Sequence, residues 1–168
     1  SEPHLIVIWT PNHRGAAAAY QQAVRAFGSS IVAVRMHPAY RTRSERIRHL
    51  NAFYEKTRMR TNVDDARGRE PFAILFLRLA RASYGRCMGG ASARGMAACP
   101  PINAFKVRMR ELHRGLIIHA TYSPEETRDN LRALNLTSDA LAEAMLSGAQ
   151  TPARRRSRIS ASGTMKRG

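Results

Sequence analysis

Apolar residues fall along the chain in two patterns: short unbroken runs, and longer stretches where they return every three or four positions. Leu5–Trp9 (LIVIW) is a run with β-branched residues, which suits a strand buried on both faces. Pro11, Asn12 and Gly15 interrupt it. Ala16–Phe27 then sets Ala16, Tyr20, Val24 and Phe27 at helical spacing, with Gly28 as the C-cap. Ser30–Met36 (SIVAVRM) predicts a second strand, and Ser44–Arg58 a second helix with Ile47, Leu50, Phe53 and Tyr54 on one face. The polar Thr61–Glu70 reads as a loop, and Phe72–Leu77 (FAILFL) as a third buried strand. A short helix is expected over Leu79–Met88, followed by a long loop or insertion over Gly89–Pro101, which is rich in Gly, Ala and Pro. Leu116–His119 (LIIH) predicts the last strand, ending in a histidine at a strand–helix junction. The next helix, Ser123–Leu136, has a clear start: Ser123 as N-cap, Pro124 first in the helix and Glu126 three residues after the cap. One more short helix is expected over Asp139–Leu146. The order βαββαβ predicts a two-layer α+β sandwich.

Charge changes the picture more than composition does. The 168 residues are 43% hydrophobic, enough for one core with room for a tail, and no apolar run is long enough to span a membrane. Two cysteines, Cys87 and Cys99, supply neither a disulfide scaffold nor a four-ligand zinc site, so no metal is expected. The formal net charge of +16 argues against a small-metabolite enzyme and for a polyanionic partner. Residues 150–168 form a basic extended tail with Arg154, Arg155, Arg156, Arg158, Lys166 and Arg167 and no acid. The rest keeps 22 basic and 12 acidic residues, a net +10. A second basic cluster, Arg41, Arg43, Arg46 and Arg48 with His49, continues through Lys56, Arg58 and Arg60, with only Glu45 and Glu55 interleaved. Both clusters are candidate phosphate-contacting, RNA-binding segments. The chain opens on Ser1 and not methionine, from which we expect that a targeting segment has been removed; no signal or transit pattern stands within it.

GLIIHATYSPEETRDNLRAL (Gly115–Leu134) resembles the histidine signature of nucleoside diphosphate kinases and the acidic amphipathic helix that follows it. LIVIWTPNHRG is similar to that family's first strand and turn, SIVAVRM to its second strand, AFYEKT to its tyrosine-bearing helix, FAILFL to its third strand and GRCMGG to the start of its nucleotide loop. The resemblance covers about Leu5–Leu136. It implies a ferredoxin-like βαββαβ domain over residues 1–136, a short helix or linker over 137–149 and the tail beyond. It also implies γ-phosphoryl transfer through a phosphohistidine, with Mg²⁺ and a nucleoside triphosphate. His119 then falls at the nucleophile, and Tyr54, Arg86 and Lys106 at nucleotide-binding positions, Lys106 standing where the family has arginine.

The chain departs from the family elsewhere. The family's active-site lysine is Thr10, its asparagine before the histidine is Leu116, Gly-Ser-Asp becomes Ala120-Thr121-Tyr122, and the imidazole-orienting glutamate is Asn130. Each lost contact removes transition-state stabilisation, so a vestigial nucleophile in a decayed site is expected, with no cofactor. The leading expectation is a structural, RNA-associated pseudoenzyme, a ribosomal protein of the mitochondrial matrix contacting rRNA and neighbouring proteins, not membrane-bound and not a homo-hexamer. Two alternatives stand beside it: an active nucleoside diphosphate kinase needing Mg²⁺ and nucleotide, and a kinase-like module on an axonemal microtubule. These place the protein in the cytoplasm or the axoneme.

Overall fold

The computed structural model describes residues 1–10, 13–54, 66–80, 85–86, 97–113 and 117–136, with backbone alone for His13, Tyr54, Gly85, Arg86 and Ala97. The tail, its six basic residues, Leu116 and the helix expected over Asp139–Leu146 lie outside these.

The sheet is built on β1 (Glu2–Ile8) and β3 (Phe72–Leu79), antiparallel neighbours in register Val7↔Ile74. Nearly every residue of Leu5–Trp9 and Phe72–Leu77 is buried, as an unbroken apolar run requires of a strand covered on both faces. β2 (Ile31–His37) flanks β3 at one edge and β6 (Ile118–Ala120) flanks β1 at the other, giving the order β2-β3-β1-β6 with every pair antiparallel. β1 reaches β2 through helix α1 (His13–Phe27), and β3 reaches β6 through helix α3 (Pro100–His113). In each case the two joined strands lie parallel with a third between them. These two split crossovers are the ferredoxin-like βαββαβ connection.

Two further helices make the molecule three-layered and not two-layered. Ile6, Ile8, Leu75 and Leu77 pack beneath Ala16, Ala19, Ala23 and Phe27 of α1 and Ile102, Phe105 and Met109 of α3. On the opposite face, Leu5, Val7, Trp9, Ile74 and Phe76 meet Leu50 and Phe53 of α2 (Arg43–Tyr54) and Leu131 of α4 (Pro124–Ala133). A strand apolar at every position needs cover on both sides, and α2 and α4 supply the second cover.

Several local expectations are corrected. The buried stripe of α1 is Ala16, Ala19, Ala23 and Phe27, while Tyr20 and Val24 turn outward. Small alanines let the helix approach the sheet more closely than tyrosine would. Helix α2 begins one residue earlier than expected: Thr42 Oγ1 accepts the Glu45 N–H at 3.1 Å, and Glu45 Oε2 accepts the Arg41 N–H at 3.1 Å, a capping box shifted by one residue. Leu79 ends β3 and does not start a helix, and β4 (Gly85–Arg86) pairs with β5 (Ala97–Ala98).

Pro100 and Pro101 are not loop but the first turn of α3, a helix the sequence reading did not place. Its signal was present as proline at the first helical positions and Ile102, Phe105 and Met109 on one face. The interleaved arginines and the preceding Gly- and Ala-rich stretch obscured it. Helix α4 starts as expected, with Ser123 Oγ accepting the Glu126 N–H at 3.2 Å. It ends earlier, at Ala133, because Asn135 takes a left-handed φ of 57° and the Leu136 N–H closes on Leu131 O at 2.9 Å.

Candidate functional site

His119 is the middle residue of β6 and not its last, because the ladder runs Ile6↔Ala120, Val7↔His119 and Ile8↔Ile118. Alternation along the strand sends Ile118 and Ala120 toward α1 and α3. The imidazole therefore faces α2 and α4. There the Phe53 ring meets it edge-on at 5.2 Å, and Glu126 Oε1 lies 3.9 Å from its Nε2. The cap of α4 aims that carboxylate. Glu126 Oε2 accepts the Tyr122 N–H at 2.5 Å, which turns the side chain back over the strand–helix junction. The Asn130 amide, one turn further on, donates to Glu126 O at 2.7 Å. Leu5 N–H donates to Thr121 Oγ1 at 2.9 Å, and Thr127 Oγ1 lies 2.9 Å from that oxygen, so α4 is tied to β1 beneath the histidine.

The imidazole is 1% exposed. Burial holds its pKa well below the ordinary histidine value, and the positive charges of Lys106, Arg110 and Arg67 push the same way. Asn130 opposes the shift, but its Oδ1 forms no hydrogen bond of good geometry. The depressed pKa outweighs the Glu126 contact, because 3.9 Å is too long for a hydrogen bond and one carboxylate faces three cations. His119 is thus neutral near pH 7, as a nucleophile must be, yet closed to a phosphate-sized electrophile. A cleft of about 450 Å³ opens between α2 and α4, lined by Ala52, Phe53, Glu126, Asp129, Asn130, Arg132 and Ala133. The histidine does not line it.

Two of the family's other positions, Lys106 and Thr10, have described side chains, and both are held elsewhere. Lys106 is buried on α3; its Nζ donates to Ala120 O at 3.1 Å and sits 3.9 Å over the Tyr122 ring. That charge is committed inside the protein. Thr10, at the family's lysine position, donates its hydroxyl to Pro71 O. Tyr54 ends α2 and Arg86 lies in β4, with side chains outside the described set. As placed, neither Lys106 nor Thr10 fits a triphosphate with its Mg²⁺. Among the described residues, no group of three or more His, Cys, Asp or Glu is placed to hold a metal, and no helix is long and apolar enough to cross a membrane.

The basic cluster of α2 is only partly a surface. Arg41, Arg43 and Arg48 are exposed, but Arg46 is buried at 5% and packs near Gly68. Arg46 is therefore corrected from phosphate contact to packing residue. Exposed Arg69 joins the group, because Tyr40 N–H bonds to Gly68 O at 3.0 Å and holds that turn against the start of α2. Gly68 has φ +74°, and a Cβ there would lie 2.5 Å from the Tyr40 ring, so this close approach requires glycine. Behind the arginines, His37 stacks on Phe72 at 4.6 Å and Tyr40 meets His49 edge-on at 4.9 Å. Burial first, and then Glu45, raise the Tyr40 pKa; burial and neighbouring Arg48 lower that of His49.

Sequence reasoning missed Glu126 as the carboxylate beside His119. It marked Glu126 as a cap residue, and the cap is what brings it there. Arg69 was missed too, inside a segment read only as loop.

No family model and no curated protein matches the chain. A crystal structure of the Aquifex aeolicus nucleoside diphosphate kinase is similar, with a TM-score of 0.45 and 16% identity, over 79% of this chain and 94% of that one.

Proposed function

We propose that this protein is a structural, RNA-associated component of a large ribonucleoprotein, built on a nucleoside diphosphate kinase-like fold that no longer transfers phosphoryl groups. The observation that carries the reading is the exposure of three arginines, Arg41 just before α2 and Arg43 and Arg48 in its first half, whose only interleaved acid, Glu45, is engaged in the helix cap. Guanidinium side chains on a helix and the turn before it can contact phosphates spaced along a nucleic-acid backbone and read no bases. The +16 charge supports the same partner, and the buried His119 supports the loss of chemistry. The particle we name is the mitochondrial ribosome, in the matrix, with Arg154, Arg155, Arg156, Arg158, Lys166 and Arg167 adding further phosphate contacts.

The test is to isolate the native protein by size and identify what co-migrates with it. Migration in a large particle that ribonuclease dissolves is expected. Migration as a free chain, or with tubulin through ribonuclease treatment, overturns the reading.

A second reading, phosphoryl transfer through His119, draws on one observation: a neutral imidazole with a carboxylate 3.9 Å away. It requires the site to open, because the ring is almost wholly covered.

A further inference from the structure

His49 stands in the middle of α2, one residue after the exposed Arg48 and one turn after Glu45. Its imidazole is partly buried and meets the Tyr40 ring edge-on at 4.9 Å. Tyr40 in turn lies 5.4 Å from the ring of His37, at the end of β2. The three polar rings are not alike. His37 Nδ1 sits 2.7 Å from Pro38 O, and a carbonyl oxygen only accepts, so that nitrogen carries a hydrogen already. Tyr40 Oη is buried without a hydrogen bond, and burial keeps the phenol neutral. His49 Nδ1 is also buried without a hydrogen bond, so no partner at this nitrogen fixes the ring in one protonation state.

The charges that reach the His49 imidazole are those of Arg48 and Glu45 on its own helix and of His37 across the Tyr40 ring. The Gly68 turn, packed on Tyr40, carries Arg69 and Glu70. Among the described residues Glu45 is the one acid whose charge reaches the ring, and its carboxylate is engaged by the Arg41 N–H. Burial and Arg48 therefore oppose a further positive charge in the free protein. A phosphate held by Arg48 supplies the missing anion and reverses that balance.

We propose that RNA bound at Arg41, Arg43 and Arg48 draws a proton from solvent onto His49, so that this face holds RNA more tightly as the pH falls through the range of an ordinary histidine. The linkage makes His49 the pH-sensitive member of an otherwise permanently charged surface, because arginine does not titrate there. It rests on the RNA reading above and adds a property that simple phosphate contact by arginine does not have.

The test measures retention of oligouridylate by the full-length protein between about pH 8 and about pH 6, with Trp9 fluorescence confirming the fold at each pH. Affinity is expected to rise about three- to tenfold over that range, and the salt slope to steepen by about 0.7, one added phosphate contact on a single strand. His49→Gln should flatten the rise, and His49→Arg should hold RNA as tightly at the upper pH as at the lower. Calorimetry of the unsubstituted protein in buffers of different ionisation heat should show net proton uptake on binding, lost in His49→Gln. Retention that does not change with pH, or a rise undiminished in His49→Gln, overturns the linkage and leaves the RNA reading standing. No retention at any of these pH values overturns both.

Discussion

Lowering the pH from about 7 to about 5.5 should destabilise the isolated fold, with His119 and His4 as the causes. The histidine is 1% exposed and its pKa is held well below 6.5 by burial and by Lys106, Arg110 and Arg67. In the unfolded chain it regains an ordinary value and binds its proton first. Its contribution is therefore complete above pH 6.5 and is lost as the pH falls toward the folded-state value. A histidine kept neutral in the fold costs about 1.4 kcal/mol for the first full pH unit below its unfolded pKa. His4 is fully buried in β1 with its pKa lowered by burial, so it shifts stability in the same direction by up to a similar amount, about 1.4 kcal/mol. Trp9, the single tryptophan, is 0% exposed and reports unfolding by fluorescence. In urea the midpoint should fall by roughly 1 M between the two pH values. His119→Gln should flatten about half of that dependence. An unchanged midpoint in the unsubstituted protein would refute the reasoning. It would mean that Glu126 holds His119 charged and that the three cations do not decide its state.

Gly68→Ala should destabilise by about 1–3 kcal/mol, seen as a lower melting temperature, because a left-handed backbone and the Tyr40 ring both reject a Cβ. Incubation with nucleoside triphosphate labelled on the γ-phosphate should leave no acid-labile label on His119; robust labelling abolished by His119→Ala would promote the kinase reading. The isolated chain should sediment as a monomer or aggregate in ordinary salt, and a stable hexamer would count against the charge argument.

The sheet was legible because LIVIW and FAILFL leave no choice but a strand covered on both faces, and because Ser123-Pro124 marks a helix start by chemistry rather than by period. Helix α3 was not legible. Its apolar stripe of Ile102, Phe105 and Met109 is interleaved with Lys106, Arg108 and Arg110, and its first turn is two prolines that follow a Gly- and Ala-rich sequence. The third layer was implied by strands apolar on both faces, but the sequence does not show on which side each helix packs: Leu50 and Phe53 of α2 lie on the face opposite α1 only once the chain has folded. At the site, the sequence could place a histidine on a strand but not reveal that the ring is sealed. That depends on Phe53 and α4 folding over it, contacts far apart along the chain. Lys106 likewise reads as an available cation until Tyr122 and Ala120 O are found around it. Arg46 differs from Arg43 and Arg48 only by its position around the helix.

The central claim is tested most directly by retention on RNA over a salt series, comparing the full-length protein with a variant carrying Arg41→Gln, Arg43→Gln and Arg48→Gln. Three lost phosphate contacts should reduce the slope of log affinity against log salt by about 2 to 3, and equally for RNAs of different sequence. An unchanged slope would mean that these arginines touch no phosphate, and the ribonucleoprotein reading would then lose the observation on which it stands.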